Sequence, residues 1–238
     1  MTHNPPRPLL GLATIGLAVG FNIPFAVLAA TYEYPDILRR PAGVALDLFA
    51  AGGSWLILTW YGFALAALAL VPLALALSLQ PHRVAVAPAL AIGAGIAGAL
   101  SGLAQAVGLL RWVFVIPGLA AAHAAPGATE ATRLAAEGAF AILNSYGGVA
   151  IGEHLGQLLL VGFVLALARL QWSEGARITA GIGAASAAAI GFGTGEGLAL
   201  AFGGSGEVFS LGTIGGFLGF TVWLILTGVG HLRAKGAL

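Results

Sequence analysis

The sequence contains no cysteine and very little charge. Only 8% of its 238 residues are charged, with 10 basic and 9 acidic side chains, whereas a soluble domain carries about 25%. So few charges cannot cover a water-facing surface, which excludes a soluble globular enzyme. The absence of cysteine excludes disulfides, thiolate metal sites, Fe–S clusters and cysteine nucleophiles. The net charge of +1 argues against a nucleic-acid partner, which would need a basic face.

Apolar residues dominate instead, at 59% of the chain with a mean hydropathy of +0.96, and this excludes intrinsic disorder. A hydrocarbon core about 30 Å thick needs about 20 apolar residues per helix. The sequence therefore predicts an all-α, polytopic integral membrane protein whose single domain, residues 1–238, is a six-transmembrane-helix bundle. The predicted helices are 8–30, 55–79, 84–110, 149–168, 178–201 and 209–230. The third run stays apolar beyond its predicted end, and Pro117-Gly118 is its expected stop.

Orientation follows from the basic residues, which favour the cytoplasmic side in short loops. One side collects Arg7, Arg83, Arg169, Arg177, Arg233 and Lys235, and the other Arg39, Arg40 and Arg133. This distribution predicts that both termini are cytoplasmic and that loops 31–54 and 121–148 face outward. A cleaved signal peptide ending near Ala30 is the alternative interpretation of the first helix.

Both outer loops have the composition of interfacial segments. Residues 32–41, YEYPDILRRP, combine aromatic and charged side chains, as segments at the membrane surface do. In the second loop, helical spacing places Glu130, Arg133, Glu137 and Asn144 on one face, which predicts a short amphipathic interfacial helix. Gly147-Gly148 would let the chain turn from it into the fourth span. A solvated loop is the alternative.

Glycine pairs at small-xxx-small spacing indicate where helices pack closely, because lipid gives helices no hydrophobic drive to associate. They are Gly98/Gly102, Gly191/Gly195, Gly193/Gly197, Gly212/Gly216 and Gly215/Gly219. We expect helices three, five and six to form the tightly packed interior. The two halves of the chain show no mutual repeat, which weakens an inverted-repeat transporter.

A few ionisable residues remain inside the predicted spans, where each charge costs about 3 kcal/mol or more. Glu153 and Glu196 are the two carboxylates, and Arg111 and His154 accompany them. The predicted topology places all four in the outer half of the bilayer. Gln157 shares a helix face with Glu153 and His154. We therefore expect an outward-facing intramembrane polar cavity with these five residues as its ligand-binding or ion-binding set.

Other polar and aromatic residues are candidates to line this cavity: Trp60, Tyr61, Gln105, Trp112 and Asn22. The aromatic members also fit a belt at the membrane interface. Arg111 fits either a buried ion pair or an arginine that reaches the lipid headgroups. Glu196, flanked by glycines, fits a frayed helix end.

The chemistry open to these residues is limited. Glu153, His154 and Glu196 could hold a divalent metal ion such as zinc, with water as a fourth ligand, although the second histidine of a helical zinc-protease motif is missing. An intrachain bis-histidine haem is disfavoured because only His154 lies deep enough to be an axial ligand. One arginine against two carboxylates favours a cation at the site, or one protonated carboxyl group.

Several segments resemble a family of bacterial multi-pass membrane proteins known only as a domain of unknown function. They are residues 31–39, TYEYPDILR; residues 108–114, GLLRWVF; and residues 152–156, GEHLG, with a weaker likeness at 59–61, TWY. The resemblance runs from the first to the fourth helix. It implies a six-helix protein of the bacterial inner membrane and brings no activity or catalytic residue.

Three functions follow as hypotheses. The first is that the protein binds or conducts a small polar ligand, a metal ion or a proton at the outer cavity, without being an enzyme. The second is a structural, accessory or sensor-like subunit, which would act in a homo-oligomer or a larger membrane complex. The third is an intramembrane metal-dependent hydrolase. The lipid bilayer is the expected partner in all three, and nucleic acid in none.

Overall fold

A computed structural model describes residues 7–233, and within this range the chain is helical and contains no β-strand. The α-helices are α1 (Pro8–Thr31), α2 (Ala42–Ser78), α3 (Pro81–Val86), α4 (Pro88–Phe114), α5 (Ile116–Ala124), α6 (Glu130–Leu143), α7 (Gly156–Ser173), α8 (Arg177–Gly193), α9 (Gly195–Ala201) and α10 (Glu207–Arg233). A short 3₁₀ helix (Asp36–Arg39) precedes α2, and a π-helix (Asn144–Leu155) joins α6 to α7. The predicted orientation concerns both chain termini and uses Lys235, and these residues lie outside the described range.

Six helical runs are long and apolar enough to cross a membrane, judged by length and composition. They are Pro8–Thr31, Ala42–Ser78, Pro88–Ala124, Glu130–Ser173, Arg177–Ala201 and Glu207–Arg233. Each contains one of the six predicted spans or most of it. This supports a multi-pass membrane protein and confirms the all-helical prediction.

The helices that contain the second and third predicted spans have different bounds from those spans. Helix α2 begins at Ala42, not near residue 55, and bends at Gly53, whose φ of 60° is a value that glycine adopts without steric cost. The third span begins at Pro88 rather than 84, after the short α3, and breaks at Val115 rather than at Pro117-Gly118. Pro117 lies in the first turn of α5, where a missing N–H removes no helical hydrogen bond.

The fourth helix also differs from the prediction. It forms part of a run of 44 residues, Glu130–Ser173, and begins well before residue 149. The chain therefore does not turn at Gly147-Gly148. The predicted amphipathic helix is present as α6, and its N-cap Thr129 accepts a hydrogen bond from the Thr132 N–H. The interfacial position of α6 stays a prediction.

The contacts group the chain into two compact units. Unit 1 comprises residues up to Val19, Ala69–Leu103 and His154 onward, and unit 2 comprises Gly20–Leu68 and Ala104–Glu153. Each unit is described by itself below.

Close approach of α8 to α10 organises unit 1. A Cβ atom on Gly216 would lie 2.7 Å from the backbone nitrogen of Ile190, and one on Gly212 would lie 3.0 Å from the Ala189 carbonyl oxygen. The Ser186 hydroxyl donates to the Gly216 carbonyl at 2.6 Å. Gly216, which the small-residue spacing singled out, therefore packs bare backbone against α8, as close helix pairs in membranes do.

Buried polar side chains join α7 to α10 in the same unit. The Trp223 indole N–H donates to Gln171 Oε1 at 2.9 Å, and the Gln171 amide donates to Thr227 Oγ1 at 3.0 Å. These groups leave no polar atom of the indole or the amide facing lipid, which is how polar residues stabilise helix packing away from water.

An ion cluster closes one end of unit 1. Arg83, which is almost fully buried, donates to both carboxylate oxygens of Glu174 at 2.5 and 2.6 Å and also to the Leu77 carbonyl. The His82 ring contacts the same carboxylate at 2.9 Å. Two-point pairing of guanidinium and carboxylate is the strong form of this interaction, so the loop after α7 is held against the short α3.

A test of the α8–α10 packing compares two adjacent glycines. We expect Gly216→Ala to destabilise the protein by about 2 kcal/mol because the new methyl group meets the backbone of Ile190. Gly215→Ala is the matched control, since nothing lies within 4 Å of a Cβ at that position. Thermal unfolding in detergent measures both. Equal stabilities of the two variants would contradict this packing.

The Glu174 cluster predicts a pH dependence of stability. Burial raises the pKa of this carboxyl, but the hydrogen bonds and charge of Arg83, helped by His82, bring the pKa below its ordinary value. A carboxyl group with a lowered folded-state pKa contributes stability that is complete above the unfolded-state pKa and is lost as pH falls through the folded-state pKa. Acid should therefore destabilise the wild type more than Glu174→Gln.

We expect Glu174→Gln to cost about 2 kcal/mol at neutral pH, measured by unfolding in detergent across an acid pH series. Glu33→Gln is the control, because Glu33 pairs with Arg40 in an exposed ion pair that is worth at most about 1 kcal/mol. The assignment is wrong if both variants lose equal stability and keep the same acid profile as the wild type.

Candidate functional site

The helix that carries most of the predicted site is unusual in form. Residues Asn144–Leu155 form a π-helix of 12 residues, whereas π-helical geometry generally occurs as a single turn and often at functional sites. We call residues Asn144–Leu155 the π segment. It contains Glu153 and His154 and three glycines, Gly147, Gly148 and Gly152. The division between unit 2 and unit 1 falls between Glu153 and His154.

Glycines bring the backbone of the π segment against α4 in unit 2. A Cβ atom on Gly108 would lie 2.8 Å from the Gly152 Cα. One on Gly148 would lie 2.7 Å from Cζ of Arg111. The absence of side chains at these positions therefore makes room for the Arg111 guanidinium beside the helix backbone.

Arg111 is buried, with 8% of its surface exposed. Its guanidinium donates to the Gly108 carbonyl and, at 3.0 Å, to Oδ1 of Asn144. The Asn144 amide in turn donates to the Leu38 carbonyl at 3.1 Å. The side chain is thus held inside unit 2 and does not extend to headgroups as a snorkelling arginine would.

No carboxylate touches Arg111 among the described residues, and its Nε–H is buried without a hydrogen-bond partner. The Arg111 Cζ lies 5.1 Å from the centroid of the Trp112 ring, within the range of a cation–π interaction. The buried ion pair that the sequence suggested for this arginine is therefore absent within unit 2.

Glu153 pairs with a different arginine. Its Oε2 lies 2.5 Å from Nη2 of Arg39, and about a quarter of each side chain, 26%, is exposed. Arg39 ends the 3₁₀ helix and was assigned only to a loop by the sequence analysis. The charged and aromatic residues near Arg39 in the sequence indicated that this segment is unusual. They did not identify Glu153 as its partner, because the two residues are 114 positions apart in the chain.

His154 is positioned within unit 1. Its Nδ1 lies 3.0 Å from the carbonyl oxygen of Thr194, the residue at the junction of α8 and α9. A carbonyl oxygen only accepts, so Nδ1 carries the proton. In a neutral ring Nε2 then presents a lone pair, the form suited to accepting a proton or binding a ligand.

The remaining predicted polar residues take separate positions. Gln157 is buried in α7. Glu196 lies in the first turn of α9, directly after the helix break at Thr194, which agrees with the helix-end interpretation. Asn22 and Gln105 are half-buried in unit 2 and have interaction partners. The outward-facing cavity itself stays a prediction.

Trp60 and Trp112 belong to an aromatic core of unit 2. Their rings stack with centroids 4.8 Å apart, and the Tyr32 ring meets both edge-on. Both tryptophans are fully buried, and their indole N–H groups have no partner. Both rings therefore face other side chains of unit 2, whereas Tyr61 is exposed.

Tyr32 anchors this core from the loop after α1. Its hydroxyl donates to the Ala45 carbonyl at 2.9 Å. Burial raises the pKa of the Tyr32 phenol, and the charge of Arg111 offsets part of that rise. The phenol is therefore neutral and acts as a donor.

A second polar cluster in unit 2 was not found from sequence. The buried His123 ring contacts Asp47 Oδ1 at 2.9 Å through Nδ1 and Glu137 Oε1 at 3.0 Å through Nε2. The carboxylates lie on opposite sides of the imidazole, so they tie α2 and α6 to α5 and share no common point for a metal ion. Their sequence positions show no spacing that would reveal this.

Between Arg7 and Arg233 no group of three His, Asp or Glu side chains is arranged to hold a metal ion. The set Glu153, His154 and Glu196 therefore receives no support as a metal centre.

Comparison with known proteins gives no family. No protein-family model, curated protein or solved structure matches this chain. The resemblance to an uncharacterised bacterial membrane family stays a prediction.

The His154 geometry predicts a specific tautomer. We expect ¹⁵N NMR of histidine-labelled protein, at a pH where the ring is neutral, to show His154 protonated at Nδ1, because Thr194 offers a carbonyl there. The spectrum of His154→Gln identifies the signal by its loss. A ring protonated at Nε2 would contradict the hydrogen bond to Thr194.

Proposed function

We propose that this chain is a membrane protein that binds, and can conduct, a small polar ligand or a proton at the polar group around Glu153. The group comprises Arg39, Arg111, Asn144 and Glu153, all in unit 2. The observation that carries the proposal is the Arg39–Glu153 pair, which is partly exposed and lies in the same unit as a buried arginine without a carboxylate contact.

A purely structural ion pair has a different appearance in this protein. Arg83 is buried but engages both oxygens of Glu174 and a backbone carbonyl. Arg111 is equally buried and has only neutral acceptors. Ionisable groups within membrane-spanning helices cost free energy and generally bind substrates or transfer ions or protons. The group around Arg111, which has no carboxylate contact, is therefore a better candidate for function than the Arg83–Glu174 pair.

His154 favours the proton version of the proposal. It follows Glu153 directly in the chain, and its hydrogen bond to Thr194 leaves Nε2 as the accepting nitrogen. Glu153 would bind the ligand or proton, and Nε2 of His154 would serve as a proton acceptor.

The location and assembly are part of the same proposal. The distribution of Lys and Arg supports a bacterial inner membrane protein with both termini in the cytoplasm. The protein would act as a homo-oligomer or as a subunit of a larger membrane complex.

Proton conduction and ligand binding can be tested on the purified full chain. In liposomes containing a pH-sensitive dye, we expect proton entry above that of empty liposomes, reduced about tenfold or more by Glu153→Gln and by His154→Gln. In parallel, tryptophan fluorescence follows titration with sodium acetate, sodium phosphate, glycine, potassium chloride and magnesium chloride, and we expect saturable binding of at least one probe.

Glu33→Gln is the matched control for both measurements, because it removes a carboxylate from an exposed ion pair in the same unit. It should behave as the wild type. Proton entry equal to that of empty liposomes, together with no saturable response to any probe, would overturn the proposal. Lower detergent stability of Glu153→Gln under those conditions would point to the structural alternative.

A further inference from the structure

His123 links three helices of unit 2 and takes no part in the proposed function. Asp47 Oδ1 on α2 lies 2.9 Å from Nδ1 of the His123 ring on α5, and Glu137 Oε1 on α6 lies 3.0 Å from its Nε2. The ring is buried, whereas 63% of the Asp47 side chain and 36% of the Glu137 side chain are exposed. One imidazole therefore connects α2 to α6 through two polar contacts.

The hydrogen-bond chemistry of this cluster sets the protonation state that holds it together. An ionised carboxylate only accepts hydrogen bonds, so two carboxylate partners require an N–H group at both ring nitrogens. The charged imidazolium has both, whereas a neutral ring donates from one nitrogen and accepts at the other. The contacts are therefore those of an imidazolium between Asp47 and Glu137.

These two carboxylates are the charged groups that act on the ring. Helix α2 carries no other charged side chain, and α5 carries no titratable side chain besides His123. Glu130 and Arg133, the other charged residues of α6, are exposed and lie about two turns and about one turn before Glu137. The link thus depends on one ring and two carboxylates.

Helix α6 has few other buried contacts. Its buried residues are Ala136 and Phe140, and residues 130–135 are exposed. The backbone of α2 comes close to the cluster at Gly43, where a Cβ atom would lie 2.8 Å from Glu137 Oε1. Segments with few buried apolar contacts open locally at low free-energy cost. The polar link through His123 is therefore a substantial part of what keeps α6 on α2.

From these observations we infer that His123 is a pH-sensitive latch that ties α6 to α2. The latch is closed while both ring nitrogens carry protons. When pH rises and the ring loses one proton, the nitrogen that lost it no longer donates to the carboxylate facing it. Whichever carboxylate this is, the link from Asp47 to Glu137 is broken at one point. Histidine protonation changes interfaces in pH-sensing proteins by the same means.

The latch is connected to the group of the proposed function through α6. This helix passes at Asn144 into the π segment, and Asn144 accepts a hydrogen bond from Arg111. Glu137 lies about two turns earlier, or about 10 Å along the helix. A shift of α6 is therefore expected to change how Arg111 is held. This regulatory consequence rests on the proposed function, whereas the latch itself does not.

Spin labels can measure the link in the full chain, in phosphatidylcholine nanodiscs. The chain has no cysteine, so labels attach only at Leu48→Cys on α2 and Leu134→Cys on α6, both at exposed positions. Electron paramagnetic resonance gives the distance between the labels from about pH 6 to about pH 10, which spans the titration of histidine. We expect a longer distance to appear as pH rises. Its share relative to the shorter distance should grow about tenfold, because one charged hydrogen bond is lost.

Glu137→Gln separates the latch from a general effect of alkali. A glutamine amide can accept from a protonated Nε2 or donate to a bare one, so the link persists in both states and the distances should not change with pH. Glu130→Gln is the matched control, because it removes an exposed carboxylate from the same helix. It should show the same pH dependence as the labelled parent chain.

The protonation state of the ring is checked by ¹⁵N NMR of histidine-labelled protein, in which His123→Gln identifies the signal by its loss. Both nitrogens should carry protons where the shorter distance dominates. The inference is overturned if the distances do not change with pH, if Glu137→Gln keeps the full change, or if the ring is already neutral at about pH 6. The spin-label result decides if His123→Gln does not fold. Proton entry and ligand binding are measured separately, so failure of the latch leaves the proposed function in place.

Discussion

A buried guanidinium stays charged only where protein dipoles and charges replace the water that it has lost, and unit 2 is built around this requirement at Arg111. The Gly108 carbonyl and the Asn144 amide supply the oxygen acceptors, and the Trp112 ring supplies an aromatic face. Gly108 and Trp112 lie on α4 with Arg111, whereas Asn144 is the first residue of the π segment. Asn144 also donates to the Leu38 carbonyl of the 3₁₀ helix, so this one side chain is accommodated by contacts that join three elements.

Glycine makes that accommodation possible. The π segment approaches α4 through Gly152 and Gly108, and Gly148 leaves space for the guanidinium itself. In unit 1 the same property serves packing alone, because Gly216 and Gly212 let α10 contact the backbone of α8. Glycines therefore allow close helix packing in unit 1 and make room for a polar side chain in unit 2. The spacing of glycines in the sequence does not distinguish these two roles.

The sequence predicted the helical class and six apolar runs because the thickness of the bilayer imposes a length that composition reveals directly. It missed the start of α2, which lies inside the predicted outer loop 31–54. Asp47 in this part of α2 contacts His123, which lies far along the chain in α5. The aromatic core was misread for a similar reason, since Trp60 and Trp112 have the same composition signal whether they face lipid or each other. The pairing of Glu153 with Arg39 depends on tertiary contact, which helical spacing cannot supply.

The same limitation explains why the charged groups of the site could not be counted from the sequence. Counting residues within the predicted spans gave one arginine against two carboxylates, because Arg39 was assigned to a loop. In unit 2 Arg39 pairs with Glu153 and adds a positive charge that this count omitted. The field at a buried group is set by the charges within a few ångströms and not by those at similar positions along the helices. Arg83 shows the balanced case, in which one guanidinium meets one carboxylate at two points. Arg111 has no such two-point contact among the described residues, and the Gly108 carbonyl, the Asn144 amide and the Trp112 ring hold its side chain instead.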